Sequence, residues 1–153
     1  MLSSSLSYIF IRSFPESVLL ILAGYILFNL KIDIIDVLKN SILYLIILTF
    51  IRMMPISFGI HTVLSMFVIG IIFYKLKNQQ IITTILNIAK IYICLAISEG
   101  IYMIIANCVF KIPTQVLTAN TSVYSALLAL PSLLIFILLI IVIKLITKKL
   151  NRG

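Results

Sequence analysis

Between Val123 and Ile146 the chain carries one charged side chain, Lys144, in a run made mostly of Leu, Ile and Val. A segment apolar on every side has nowhere to hide in a small soluble fold, and as a helix it is long enough to cross the ~30 Å hydrocarbon layer of a bilayer. Several other stretches share its character. Hydrophobic residues make up 63% and charged residues 10% of the 153-residue chain, against about 25% charge in soluble domains. The mean hydropathy of +1.28 points the same way. The expected fold is all-α: one integral membrane domain over residues 1–153, a polytopic helix bundle with about five transmembrane helices plus an N-terminal half-helix. Almost no chain is left for an extramembrane domain, so any site lies inside the bundle or at its rims.

The expected spans are 16–30, 41–54, 60–76, 81–109 and 123–146. Ser13-Phe14-Pro15-Glu16 has the spacing of a capping box with Pro among the first helical residues, and so starts the first. Lys31 to Asn40 holds Asp33, Asp36 and Lys39 and reads as an interfacial turn. Pro55 to Gly59 is a tight turn, Lys75 to Gln80 a wet loop, and Lys111 to Ser122 a polar loop with room for a short surface helix. Pro131 should kink the last span.

Two stretches repeat a pattern, F-I-R-x-x-P-x-S, at Phe10 to Ser17 and Phe50 to Ser57. An Arg followed three residues later by Pro ends one helix and lets another begin, so both copies read as helix-to-helix corners. Arg12 and Arg52 are 52 − 12 = 40 residues apart, enough for two crossings of ~20 residues, which returns both corners to one side. Lys31, Lys39, Lys75, Lys77, Lys144, Lys148, Lys149 and Arg152 share the other side, and only Arg12, Arg52 and Lys111 share theirs. By the positive-inside rule the larger group, with the C-terminus, is cytoplasmic and the two corners face outward. The formal charge of +8 is thereby explained by topology and anionic lipid rather than nucleic acid.

Met1 to Ser5 lack the basic start and cleavage site of a signal peptide, so an N-terminus that is kept is expected. Residues 1–12 span only ~18 Å as a helix, which implies a half-helix along or partway into the outer leaflet.

Charge inside hydrocarbon costs about 2.5 to 3.5 kcal/mol on insertion scales, so each instance needs a cause. Lys90 and Glu99 fall in the fourth span nine residues apart, on opposite faces at about 100° per residue. Lys90 can snorkel toward the cytoplasmic rim. Glu99 is too short for that and lies in the outer half, where Arg12, Glu16, Arg52 and His61 also collect. These five form the candidate site: a polar chamber opening outward, suited to an anionic or peptidic ligand or to proton-linked switching through His61. Each has a plainer explanation beside it. The two arginines stand at helix C-termini, where the dipole and headgroups favour a cation. Glu16 serves as an N-terminal cap, His61 bonds a nearby carbonyl, and Glu99 is a structural partner of one Arg.

Tyr8, Tyr74 and Tyr124 fit interfacial belts, whereas Tyr44, Tyr92 and Tyr102 are deeper and need hydroxyl partners. Cys94 and Cys108 are 14 residues apart on one helix, about 21 Å, so they cannot bridge and read as free thiols. The single His argues against a metal site. No metalloprotease, nucleophile-elbow or phosphate-loop motif is present, so no catalytic residue, cofactor or enzymatic activity is expected. Gly24, Gly59, Gly70 and Gly100 make no Gly-x-x-x-Gly.

Phe14-Pro15-Glu16-Ser17, then Ile51-Arg52-Met53-Met54-Pro55-Ile56-Ser57-Phe58-Gly59-Ile60-His61-Thr62, then Ser98-Glu99, resemble segments of small multipass membrane proteins of low-GC Gram-positive bacteria. They are similar to the membrane regions ahead of some sensor kinases. The sequence ends at Gly153 without a dimerisation helix or ATP-binding domain, so the resemblance implies a stand-alone sensory or regulatory membrane module. The alternative is a transport component, such as the substrate-capture subunit of a multi-subunit transporter; a third reading is an immunity or assembly protein with no small-molecule site. Expected partners are membrane lipids, a membrane protein and a small-molecule or peptide ligand, with no nucleic acid.

Overall fold

A computed structural model describes residues 9–53, 58–77, 80–109, 111–112 and 123–150. Every regular element among them is helical: a π-helical turn, Ile9–Ser13, then α1 (Phe14–Leu27), α2 (Ile34–Met53), α3 (Phe58–Lys77), α4 (Ile81–Cys108) and α5 (Val123–Leu150). Three helices contain stretches long and apolar enough to cross a membrane: Ile34–Ile51, Ile81–Cys108 and Leu130–Lys149. A shorter apolar stretch, Ile60–Leu76, lies in α3, and α1 has 14 residues.

The first F-I-R-x-x-P-x-S copy corrects the sequence reading. It is not a break between two helices, because Ser13 has helical angles of φ −73° and ψ −26° and the π turn passes straight into α1. Pro15 brings no N–H, and its ring crowds the carbonyl four residues back; a widened turn accommodates both without interrupting the path. Of the expected half-helix, residues 1–8 lie outside the described residues, as does the second corner at 54–57.

The interfacial turn expected from Lys31 to Asn40 is also shorter than the sequence suggested, since α2 begins at Ile34. Asp33 explains this. Its Oδ1 accepts the Ile35 N–H at 3.0 Å, and its carbonyl accepts the Val37 N–H at 2.9 Å, the two bonds of an N-terminal cap. Asp36 then stands in the first turn, where the helix dipole favours an anion.

The end of α1 is closed by a Schellman motif. Asn29 takes a left-handed φ of 54°, Leu30 N–H donates to the Tyr25 carbonyl at 3.0 Å, and Asn29 N–H reaches the Ile26 carbonyl at 3.4 Å. From α5, Lys144 Nζ donates to that same Ile26 carbonyl at 2.8 Å. Asn40 of α2 donates to the Tyr25 hydroxyl at 3.0 Å. Tyr25, Ile26, Asn40 and Lys144 therefore share one end of the bundle, the grouping that the charge asymmetry anticipates.

Contacts across the bundle give the helix directions. Ser65 of α3 meets Tyr92 of α4, and a Cβ on Gly70 would touch Ile88, so α3 and α4 are antiparallel. The α1 helix is the innermost, packed against α2, α4 and α5. Its Leu20, Ile21, Ala23, Tyr25 and Phe28 join Tyr44, Ile69, Phe73, Ile91, Phe136 and Ile140 in the main core. Phe73 of α3 lies directly on the α1 backbone: a Cβ at Gly24 would stand 2.1 Å from its ring. That ring is stacked on Phe28 at 4.9 Å and edge-on to Tyr25 at 5.9 Å, so it has little freedom to retreat. Large apolar side chains such as Phe50, Phe67, Ile104 and Leu134 cover the outside.

The α5 helix runs through Pro131 without interruption. Pro131 removes an intrahelical donor and loosens the carbonyls of the preceding turn, and the Tyr102 hydroxyl donates to one of them, that of Leu128.

Gly24→Ala should lower thermal stability in detergent by about 1–3 kcal/mol through overpacking. Phe73→Leu should recover part of that loss in the Gly24→Ala background, though it destabilises the parent chain. A neutral Gly24→Ala would show that the ring does not rest on this backbone.

Candidate functional site

Most polar side chains in the helices are turned back on their own backbones. Ser17 donates to the Ser13 carbonyl, Ser41 to Val37 at 2.7 Å, Thr49 to Leu45 at 2.8 Å and Ser98 to Leu95 at 2.7 Å. The exceptions bridge different helices: Asn40 and Lys144 do so at the end of α1 already described, and the others lie toward the opposite end.

Arg12, in the π turn, donates from Nη2 to Oε1 of Glu99 on α4 at 2.7 Å. The two side chains are 21% and 35% exposed, so this charge-assisted bond lies partly open at the surface of the bundle. Glu16 follows Arg12 by one helical turn and is buried to 9% exposure. It lies within electrostatic reach of the Tyr44 hydroxyl on α2.

Tyr44 begins a chain of hydroxyls. Its oxygen is 3.2 Å from that of Tyr92 on α4, Tyr92 donates to Ser65 on α3 at 3.0 Å, and Ser65 donates to the Thr62 carbonyl at 2.7 Å. Because Tyr92 spends its proton on Ser65, Tyr44 is the donor in the tyrosine pair. The direction is then fixed from α2 through α4 to α3. Each such bond contributes about 1 kcal/mol net, but an unpaired member at this depth would cost about 1–3 kcal/mol.

Helical spacing stacks a charged layer over this hydroxyl layer. His61 precedes Ser65 by four residues, Glu99 follows Tyr92 by seven, and Arg12 precedes Glu16 by four, which keeps each pair on one face. His61 is half-buried, and its Nδ1 is buried with no hydrogen-bond partner. An orphaned buried ring nitrogen is a group that a ligand's hydrogen bond would satisfy. Arg52 is in the last turn of α2 at the same end of the bundle, and its side chain lies outside what is described.

Of the five sequence-derived candidates, Arg12 and Glu99 are joined directly, Glu16 lies within electrostatic reach of Tyr44, and His61 stands one turn from Ser65. Tyr92 and Tyr102 have the hydroxyl partners their depth demands. Ser65 carried no sequence signal, because a lone Ser in an apolar helix usually bonds its own backbone; only the opposing Tyr92 gives it a role. Lys90 points outward on the face of α4 away from Glu99, and the thiols are free, Cys94 buried and Cys108 exposed. Among the described residues no three His, Cys, Asp or Glu side chains gather as a metal site. Comparisons with family models, curated proteins and solved structures find no match to this chain.

A double-mutant cycle should isolate the Arg12–Glu99 bond. Arg12→Gln and Glu99→Gln should each lower stability in detergent, and the double variant should lose less than the sum, with a coupling of about 0.5–3 kcal/mol. Strictly additive losses would mean that the two side chains do not meet.

Proposed function

We propose that this chain is a multipass protein of a bacterial cell membrane, with five crossing helices and a cytoplasmic C-terminus, and that it is a non-enzymatic sensory or regulatory module. Its responsive part is the outward-facing cluster of Arg12, Glu16, Arg52, His61 and Glu99. The observation that carries the reading is the Arg12–Glu99 bridge at 2.7 Å. It fastens the start of the innermost helix to α4 at a place a ligand can reach, directly over a hydroxyl chain that links α2, α3 and α4. A carboxylate-bearing ligand can compete for Arg12, a cationic one for Glu99, and a proton can settle on His61. Any of these changes how α1 is held, and a membrane partner reads that change.

Topology supports a first check. Cys108 is exposed near the outer end of α4 and Cys94 is buried. A membrane-impermeant maleimide added to intact cells should therefore label the protein, and Cys108→Ser should abolish the labelling. Labelling that requires opened cells would reverse the orientation.

The function itself is tested by crosslinking and co-purification from native membranes. The regulatory reading expects a signalling protein bound to the parent chain, with its activity altered when Glu99→Gln is introduced at an unchanged expression level. Solute uptake into vesicles containing the chain and an energising complex, with no signalling protein recovered, would favour transport instead.

A further inference from the structure

Lys90 is a cation in the interior of an apolar helix to which the bundle offers nothing. Its side chain is exposed, and among the described residues no ion pair or hydrogen bond engages it. It lies 90 − 81 = 9 residues from the start of α4, about 14 Å along the axis. A helix of 28 residues is about 42 Å long against a hydrocarbon layer of ~30 Å, so a centred α4 holds the Lys90 backbone about 8 Å inside that layer. The face around it is apolar and exposed, with Leu86, Ile93, Ile97 and Ile104, whereas Ile88, Ile91, Tyr92 and Ser98 form the buried ridge opposite.

Snorkelling carries the ammonium only part of the way to the rim, and in the hydrocarbon that remains it is best matched by a carboxylate on an adjoining helix. A second copy of this chain has none to offer there. It has four acidic residues in all. Glu99 is taken by Arg12 and Glu16 is buried, while Asp33 caps α2 and Asp36 stands in the first turn of that helix, where its dipole holds an anion. We infer that the exposed face of α4 around Lys90 docks a transmembrane helix of a partner protein that carries an Asp or Glu in the half of the bilayer nearer the start of α4. The inference rests on the reading of α4 as a membrane-crossing helix and supplies the chemistry of the partner that a regulatory module requires. Charge complementarity fixes the register, and the flanking Ile and Leu side chains give the packing surface.

The test uses the full chain in phosphatidylcholine vesicles and a synthetic Leu/Ala transmembrane peptide with a single Glu a third of the way in, with energy transfer between labels as the readout. The Glu peptide should associate about five- to thirtyfold more tightly than its Leu counterpart. Lys90→Leu should erase the difference, and Lys90→Glu should transfer the preference to a Lys-bearing peptide. Equal binding of the Glu and Leu peptides overturns the proposal. So does self-association of the chain that depends on Lys90, or loss of peptide binding when phosphatidylglycerol is added, which would assign the ammonium to lipid phosphate. Extraction of the chain from the vesicles by alkaline carbonate would instead defeat the membrane reading itself, and so the two failures are distinct.

Discussion

The close approach of α1 to its neighbours governs the arrangement of the other four helices. With 14 residues it is the shortest of the α-helices, and at about 21 Å it is shorter than a hydrocarbon layer. Its position depends on three fastenings: Arg12 to Glu99 at one end, the Ile26 carbonyl to Lys144 at the other, and the Phe73 ring seated on Gly24 between them. The seat works because Gly24 has no Cβ; the ring fills that space and is locked in turn by Phe28 and Tyr25. Where lipid is as apolar as Leu, close packing of this kind and inter-helix hydrogen bonds replace the hydrophobic effect as the cause of association.

Polar atoms then follow one rule. A hydroxyl near its own helix carbonyl is satisfied there, as in Ser41, Thr49 and Ser98, and holds no two helices together. A tyrosine cannot fold back that way, because its hydroxyl stands several ångströms from its own backbone. Tyr44, Tyr92 and Tyr102 must find partners on other helices, and those partners fix how α2, α3, α4 and α5 are rotated about their axes. Once Tyr92 is bound to Ser65, helical periodicity leaves no choice about where His61 and Glu99 face. The charged layer is thus positioned by the hydroxyl layer beneath it.

Much of this was legible in the residues themselves. Apolar runs separated by Lys-rich loops mark α3, α4 and α5, and the depth of three tyrosines within those runs called for hydroxyl partners. The misreadings have local causes. The segment around Asp33 and Asp36 read as an interfacial turn when taken as a sum of polarities, yet its first Asp is a cap and its second a dipole partner, so the charges start the helix. The Arg12-to-Pro15 spacing implied a break because Pro usually ends a helix; a single widened turn removed the clash at less cost. A pairing of Glu99 with an Arg was readable, but the choice of Arg12 over Arg52 was not, because Arg12 and Glu99 are 87 residues apart and their meeting depends on how α1 and α4 pack.

The two ends of α1 are held by bonds of different character. The bridge between Arg12 and Glu99 joins side chains that are 21% and 35% exposed, so opening it leaves neither charge fully buried. At the other end the Ile26 carbonyl is held twice, by Lys144 Nζ and by the Asn29 N–H, and the Tyr25 carbonyl by the Leu30 N–H, so the loss of one bond leaves the others in place. The weaker link is therefore the accessible one, and Gly24 under Phe73 lies near the stronger. Under the proposed reading, a disturbance at Arg12 or Glu99 would tilt the start of α1 about its far end, and Glu16, one turn in and buried, would be the next charged group along that helix.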